Sequence, residues 1–188
     1  MTDTIPVRRL RSSLPCAAIL ATLAATAAPA HAACSGAGAA PDGHNGAKMR
    51  RATLCLLNVQ RRAHSLRALR ENAKLRGAAA RYSRLMVRQG FFDHVSPSGS
   101  TLQSRVTATH YLDGARSWSI GENIAYGTGP YATPRSIVRS WMHSPGHRAN
   151  ILNGTFRDIG IGIATGAPVQ GRRDADGGTY TTDFGYRS

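Results

Sequence analysis

The stretch from Ile120 to Ile163 constrains the fold most, because proline and glycine within it define where one helix begins and ends. Thr133-Pro134 predicts the start of a helix whose apolar stripe includes Trp141, and Ser144-Pro145-Gly146 predicts its end. His147 follows this break directly. Backbone geometry, rather than a long mobile side chain, would therefore set the position of its ring, which is typical of a site residue.

Two further polar segments lie upstream between hydrophobic ones. Phe92-Asp93-His94 follows a predicted helix, and Gly121-Glu122-Asn123 lies between two isoleucines. Of the two glutamates in the chain, Glu71 fits a helix start, where a negative side chain favours the helix dipole, but Glu122 has no such role. We expect His94, Glu122 and His147, each in a loop, to converge on one polar cleft.

The segment from Met1 to Ala32 has the pattern of a secretory signal peptide. It has arginines near its start, an apolar stretch, and Ala30-His31-Ala32 as a small-x-small cleavage site. The stretch is short and interrupted by prolines, so cleavage is favoured over a membrane anchor. Lipidation is disfavoured, because His31 occupies the leucine-like position before Cys34. We expect a secreted protein, periplasmic or extracellular, without a transmembrane segment in the mature chain.

The chain is strongly basic. Its formal charge of +14 falls to +12 when three arginines and one aspartate leave with the signal. This charge favours anionic partners such as an envelope polymer, lipid headgroups or nucleic acid. A solvated basic face explains the scattered arginines equally well, and no nucleic-acid-binding motif accompanies them, so nucleic acid is disfavoured.

Cys34 and Cys55 are the only cysteines that would remain after cleavage. In an exported protein such a pair suggests a disulfide, although a buried thiol at Cys55, among leucines, is the alternative. A bridge would attach residues 33–47 to the first helix. This segment is rich in glycine and alanine and lacks an apolar period, so we expect a flexible N-terminal arm.

The hydrophobic periodicity predicts an α+β domain. Helices are expected over about Lys48 to His64 and Asn72 to Gln89, with Gly90 ending the second, and a short turn near Leu102. Ile159, Ile161 and Ile163 alternate with glycines, which predicts a strand whose glycine face allows another element to approach closely. Residues 179–186 predict the last strand, after a polar connection over residues 165–178.

Several motifs, taken in order, resemble the CAP superfamily of SCP-like and PR-1-like proteins, in its bacterial secreted form. The resemblance covers about residues 48–188, so the CAP domain is nearly all of the mature chain. It implies a three-layer α-β-α sandwich with a small antiparallel sheet. The motifs are Asn58 with Arg61 or Arg62, Phe92-Asp93-His94 with Ser98-Gly99, Gly121 to Ile124, Trp141 to Leu152, and Thr181 to Gly185.

The resemblance also implies a cleft lined by two histidines and acidic residues, which some members use to bind zinc or another divalent cation. In this sequence the matching residues are His94, Glu122 and His147, with His94 and His147 as the metal ligands. Ser144 stands where animal and plant members have a second glutamate. No cofactor is required, and two imidazoles with one carboxylate are the minimum for zinc. Alternatively, the trio only ties three loops together by hydrogen bonds.

These observations favour a secreted, non-enzymatic CAP-domain protein that binds an anionic envelope polymer, a lipid or a protein. The alternative is a metal-assisted or acid/base hydrolase, such as a peptidase, that uses the same cleft. A basic adhesion module acting through its arginines is the third hypothesis. The sequence lacks the Gly-x-Ser-x-Gly and His-Glu-x-x-His motifs.

Overall fold

The computed structural model describes residues 34–168 and 177–188, which form an α+β fold. The predicted signal peptide, residues 1–32, lies outside the described residues, as does most of the predicted polar connection before the last strand. The helices are α1 (Gly46–Ala63), α2 (Ala73–Gln89), α3 (Leu102–Thr107), α4 (Pro134–His143) and α5 (Pro145–Ile151), with a 3-10 helix at Gly129–Ala132. The strands are β1 (Arg70–Glu71), β2 (Trp118–Thr128), β3 (Asp158–Thr165) and β4 (Gly177–Arg187).

The four strands form one mixed sheet in the order β1-β3-β4-β2. β2 and β3 each pair antiparallel with β4, whereas β1 pairs parallel with β3. The sequence predicted an antiparallel sheet, but the parallel pairing of β1 makes the sheet a mixed one. Glu71 belongs to β1 and not to the start of α2, and its carboxylate pairs with Arg50 at 2.6 Å.

Helix α2 packs directly on the glycine face of β3. A Cβ at Gly160 would clash with the backbone of Leu75, and one at Gly162 would clash with the backbone of Ala79. The prediction of a close approach is thus confirmed. The predicted limits of α2 also hold, because Asn72 caps its first turn and Gly90 ends it with φ +68°. Helix α2 therefore covers this face of the sheet.

The opposite face of the sheet carries the main hydrophobic core. Leu56 and Leu57 of α1 and Trp141 of α4 pack there against alternate residues of β3 and β4, including Ile161 and Phe184. The indole Nε1 of Trp141 donates to the Ile124 carbonyl of β2 at 3.2 Å. The result is three layers: α2 on one face, the sheet, and α1 with α4 and α5 on the other.

The N-terminal segment contacts the domain from Cys34 onward, where the sequence predicted a flexible arm over residues 33–47. The Cys34–Cys55 disulfide is present and joins the segment to α1. Ala37 is buried, and its carbonyl accepts a hydrogen bond from the Arg135 backbone N–H at 2.9 Å.

Arg61 is an arginine of α1 that lies inside the core, whereas Arg51 and Arg62 of the same helix are exposed. Its guanidinium donates to the carbonyls of Arg67, Ile151, Asn153 and Phe156 at 2.7 to 3.3 Å. It thereby joins α1 to the segment between α5 and β3. None of the helices among the described residues is both long and apolar enough to cross a bilayer.

Candidate functional site

The candidate site lies at β2, which is an edge strand of the sheet. The sequence predicted a loop for Gly121-Glu122-Asn123, but these residues are in the middle of the eleven-residue β2. Each of them pairs with a residue of β4, with Glu122 opposite Asp183. Successive side chains of a strand point to opposite faces. The Glu122 side chain therefore meets Arg105 of α3, and the Asn123 side chain meets His147 of α5 on the other face.

Glu122 is the centre of a charged hydrogen-bond network. Its side chain is only 3% exposed, and both of its carboxylate oxygens are engaged. Oε1 lies 2.8 Å from Nδ1 of His94, and Oε2 accepts from Nη2 of Arg105 at 2.6 Å. Charge-assisted hydrogen bonds of this kind fix orientation as well as adding energy.

The loop that carries His94 is clamped at its backbone. Arg105 of α3 donates from Nη1 to the carbonyls of His94 and Ser100, at 3.1 and 2.9 Å. Its guanidinium also stacks 3.4 Å from the ring centroid of Tyr82, whose hydroxyl donates to the Asp93 carbonyl at 2.7 Å. One arginine therefore positions both the carboxylate and the backbone around the His94 ring.

The two histidines have opposite electrostatic character. The hydrogen bond to Glu122 raises the pKa of His94, whose side chain is 53% exposed. Burial lowers the pKa of His147, and the nearby charge of His94 lowers it further. The site thus combines an imidazole that favours its charged form with one that favours its neutral form, close enough to influence each other.

His147 lies in the first turn of α5, not in a turn that follows a helix. Ser144-Pro145-Gly146 ends α4 as predicted, but Pro145 also starts α5, because proline fits the first position of a helix. The carbonyl of His147 accepts from Nδ2 of Asn123 at 3.0 Å. Its ring centroid lies 6.4 Å from that of Trp141.

An amide network supports the His147 side of the site. Nδ2 of Asn150 donates to the carbonyl of Glu122 at 3.1 Å and to Oδ1 of Asn123 at 2.9 Å. Asn123 is fully buried and Asn150 is half-buried. Helix α5 is therefore joined to β2 through amides and backbone groups, without a charged partner.

Ser144 lies between α4 and α5 and is partly buried. It lines a cleft with Tyr126, Ser140 and His143. The structure thus brings His94 and Glu122 into direct contact and His147 close to His94, whereas none of these three residues lines the cleft that contains Ser144.

Asp183 is a second carboxylate beside Glu122. It is fully buried, and neither of its oxygens has a hydrogen-bond donor among the described residues. Burial, followed by the negative charge of Glu122, raises its pKa well above the ordinary aspartate value. Asp183 therefore favours its neutral form, because it has no donor of its own and lies beside a carboxylate that is already paired with His94 and Arg105.

The residues do not fit a preformed three-ligand metal site. Glu122 has both oxygens committed, and Nδ1 of His94 is taken, which leaves one nitrogen of His94 and the ring of His147 as donors. Nowhere in residues 34–168 and 177–188 do three or more His, Cys, Asp or Glu side chains form a group that could hold a metal ion. Structural and catalytic zinc sites ordinarily use three or four protein ligands.

Sequence reasoning did not assign a role to Arg105, Tyr82 or Asp183. Arg105 is 17 residues from Glu122, in a stretch with little pattern, so no local signal joined the two. For Asp183 a signal existed. The glycine face of β3 implied a covering helix, and that helix also buries the corresponding face of β4.

The chain belongs to the CAP family, described as the cysteine-rich secretory protein family, whose family model matches residues 54–182. Two proteins of Bacillus subtilis (strain 168) are similar in sequence. The "uncharacterized protein YkwD" is 37% identical over 61% of this chain and 42% of its own length. The "uncharacterized membrane protein YlbC" is 33% identical over 58% of this chain. The match spans only 30% of YlbC, so the chain covers less than half of either relative.

Solved structures share the fold. An extracellular SCP-domain protein of Bacillus anthracis str. Ames is 26% identical with a TM-score of 0.55, over 76% of this chain and 40% of the other. An outer surface protein of Borrelia burgdorferi has a TM-score of 0.61 at 18% identity, over 80% of this chain and 99% of the other. Both are extracellular or surface proteins by their descriptions.

Proposed function

We propose that the protein is an exported CAP-domain binding protein of the cell envelope or extracellular space, and that its His94 site holds an anionic group of its ligand. The observation that carries this proposal is the pairing of His94 with Glu122 at 2.8 Å. It occupies Nδ1, raises the pKa of His94 and leaves Nε2 to meet a ligand on a half-exposed ring. An imidazolium N–H is a strong donor to a carboxylate or phosphate.

Binding without turnover is favoured by the state of the polar groups around His94. A general base needs a free oxygen or nitrogen within reach of the substrate, but both oxygens of Glu122 are committed. The ring of His147 is free, but no hydrogen bond among the described residues orients it as a base. The hydroxyl of Ser96, which is close to His94 in sequence, is buried and pairs with Ser98 at 2.9 Å. A hydrolase would need a rearrangement of this network before any of these groups could act.

Export is supported by two observations. The disulfide between Cys34 and Cys55 suits an oxidising compartment. The structural relatives described as extracellular or outer-surface proteins point the same way. The intact mass of protein collected from the periplasm or medium should correspond to a chain that starts at Ala33 and carries one disulfide. A retained leader, or two thiols that react with an alkylating agent, would contradict this part.

The binding proposal is tested with inorganic phosphate and acetate as probes. We expect the His94 ring signals in NMR spectra to shift on addition of either anion at pH 6, and to shift much less at pH 8, where less of the ring is protonated. His94→Gln should abolish the shifts that either anion causes in the backbone amide signals of residues 93–96. His143→Gln is the matched control, since His143 is also an exposed histidine but bonds only the Arg139 carbonyl through Nδ1. Anion binding that is unchanged in His94→Gln would contradict the proposal.

A zinc titration by calorimetry tests the metal alternative separately. Two available imidazoles should give weak binding or none. Binding that is tight in the wild type and lost in both His94→Ala and His147→Ala would establish a metal site and contradict the proposal. Hydrolysis of a casein substrate that disappears in Glu122→Gln would favour the hydrolase instead.

A further inference from the structure

A groove of about 410 Å³ lies between α2 and α3, apart from the His94 ring. Helix α2 contributes Arg81, Arg84 and Arg88 to its lining. The segment leading into α3 and the helix itself contribute Ser100 and Ser104. The groove thus combines three cations on one wall with hydroxyl groups on the other.

The three arginines of α2 have no acidic partner among the described residues. Other arginines do: Arg50 and Arg76 pair with Glu71, and Arg105 pairs with Glu122. Arg81, Arg84 and Arg88 are all exposed. Their guanidinium groups therefore face the groove and solvent with uncompensated charge.

Arg105 also lines the groove, but its charge is already used. Its guanidinium bonds Glu122 and the carbonyls of His94 and Ser100. Arg105 therefore borders both the groove and the His94 site, but its hydrogen bonds are all made within the His94 site. The positive potential of the groove comes from the row on α2 and does not depend on the function proposed for His94.

The spacing of Arg81, Arg84 and Arg88, the arginine row of α2, suits a ligand chain that carries a series of negative charges. Residues three and four apart lie on one face of a helix, and the rise of 1.5 Å per residue separates Arg81 from Arg84 by about 4.5 Å and Arg84 from Arg88 by about 6 Å. A single small anion would meet only one or two of these cations. A flexible linear polyanion can place successive oxyanions against all three.

Arginine is the residue whose planar fork best matches phosphate oxygens, whereas the hydroxyls of Ser100 and Ser104 already bond each other and the Thr101 carbonyl. We infer that this groove binds a linear phosphate-bearing polymer. The ligand chain lies along α2, with its phosphates on Arg81, Arg84 and Arg88.

A polymer fits this surface better than a membrane does. A helix that lies on a bilayer pairs its basic residues with large apolar side chains that insert into the lipid. The residues that line the groove include no exposed large hydrophobic side chain. Those found among the described residues are elsewhere: Phe92, Val95, Trp118, Tyr126 and Tyr131.

The test measures binding of inorganic polyphosphate at several salt concentrations. The variant R81Q/R84Q/R88Q removes the row, and glutamine keeps a helix propensity similar to that of arginine. The control R51Q/R62Q/R67Q removes the same charge from three exposed arginines that do not line this groove. Thermal unfolding of each variant confirms that it is folded.

We expect the groove variant to bind polyphosphate on the order of tenfold to a hundredfold more weakly at physiological salt, and to lose about 2 from the slope of log K against log salt. The control should retain most of the wild-type affinity. Equal losses in the two triple variants would overturn the inference in favour of net charge alone. Undiminished binding by the groove variant would overturn it too.

Two further probes identify the ligand class. Polyglutamate should bind more weakly than polyphosphate of similar length. Vesicles of phosphatidylglycerol should bind weakly and without dependence on the groove arginines. Equal affinity for polyglutamate would overturn the assignment of phosphate. Tight vesicle binding that requires the groove arginines would overturn the polymer proposal and indicate that the groove binds a membrane surface.

Discussion

His94 is held by charged side chains, whereas His147 is held through its backbone. On the His94 side, Glu122 and Arg105 form an ion pair that is almost fully buried. On the His147 side, Asn123 and Asn150 join α5 to β2 through neutral amides. The same edge strand thus supports one imidazole whose charge is stabilised and one whose charge is disfavoured.

The difference shows how two histidines beside one edge strand can have pKa values shifted in opposite directions. Glu122 and Asn123 are neighbours in β2, but their side chains point to opposite faces, where they meet different elements. The carboxylate of Glu122 favours the protonated form of His94, whereas the neutral amide of Asn123 bonds only the carbonyl of His147 and favours neither form of its ring. A ligand that contacts both rings would therefore meet a charged donor and a neutral imidazole side by side.

The largest expected effect is on the charged side. Glu122→Gln leaves the guanidinium of Arg105 without its counter-ion, although the side chain of Arg105 is only 9% exposed. We expect the free energy of unfolding to fall by about 3 kcal/mol, as for other broken buried pairs, measured by urea denaturation. Glu71→Gln is the matched control, because its pair with Arg50 is more exposed and should contribute less than about 1 kcal/mol. Equal losses would contradict the distinction.

The amide side should respond less. Asn150→Ala leaves the Glu122 carbonyl and Oδ1 of Asn123 without their donor, which should cost about 1 to 2 kcal/mol. Asn153→Ala removes only an exposed turn bond to the Thr155 N–H and should cost below about 1 kcal/mol. A cost for Asn150→Ala as large as that of Glu122→Gln would mean that the amides dominate the site.

The double variant Glu122→Gln with Asn150→Ala tests whether the two sides are separate. Asn150 contacts the backbone of Glu122 and not its carboxylate. Glu122→Gln keeps the carbonyl that Asn150 bonds, so we expect a coupling energy of about 0.5 kcal/mol, the low end for residues in contact, in the same urea experiment. A larger coupling energy would show that the two sides form one network.

Asp183→Asn should change how the free energy of unfolding depends on pH. The raised pKa of Asp183 means that the folded state keeps a proton that the unfolded state has lost above about pH 4. Wild-type stability should therefore fall as pH rises through this window, and the asparagine variant should lack that slope. Urea denaturation between about pH 3.5 and 7 measures it, a range that starts near the unfolded aspartate pKa. An identical pH dependence for both proteins would mean that Asp183 is ionised in the fold.

Much of the fold followed from local signals. Asn72 and Gly90 gave the limits of α2, and the alternation of isoleucine with glycine gave β3 and the approach of α2. Glu122 was misplaced, because Gly-Glu-Asn has a low strand propensity and becomes a strand only by pairing with β4. The partnership of Glu122 with Arg105 depends on tertiary packing of α3 against β2, which no local pattern reports.

The pKa values of the two histidines test the central claim most directly. Titration of the ring signals by NMR should place the pKa of His94 above the ordinary value of about 6.5 and that of His147 below it. Glu122→Gln should lower the pKa of His94 and so bring the two closer. A pKa of His147 equal to or above that of His94 in the wild-type protein would contradict the account.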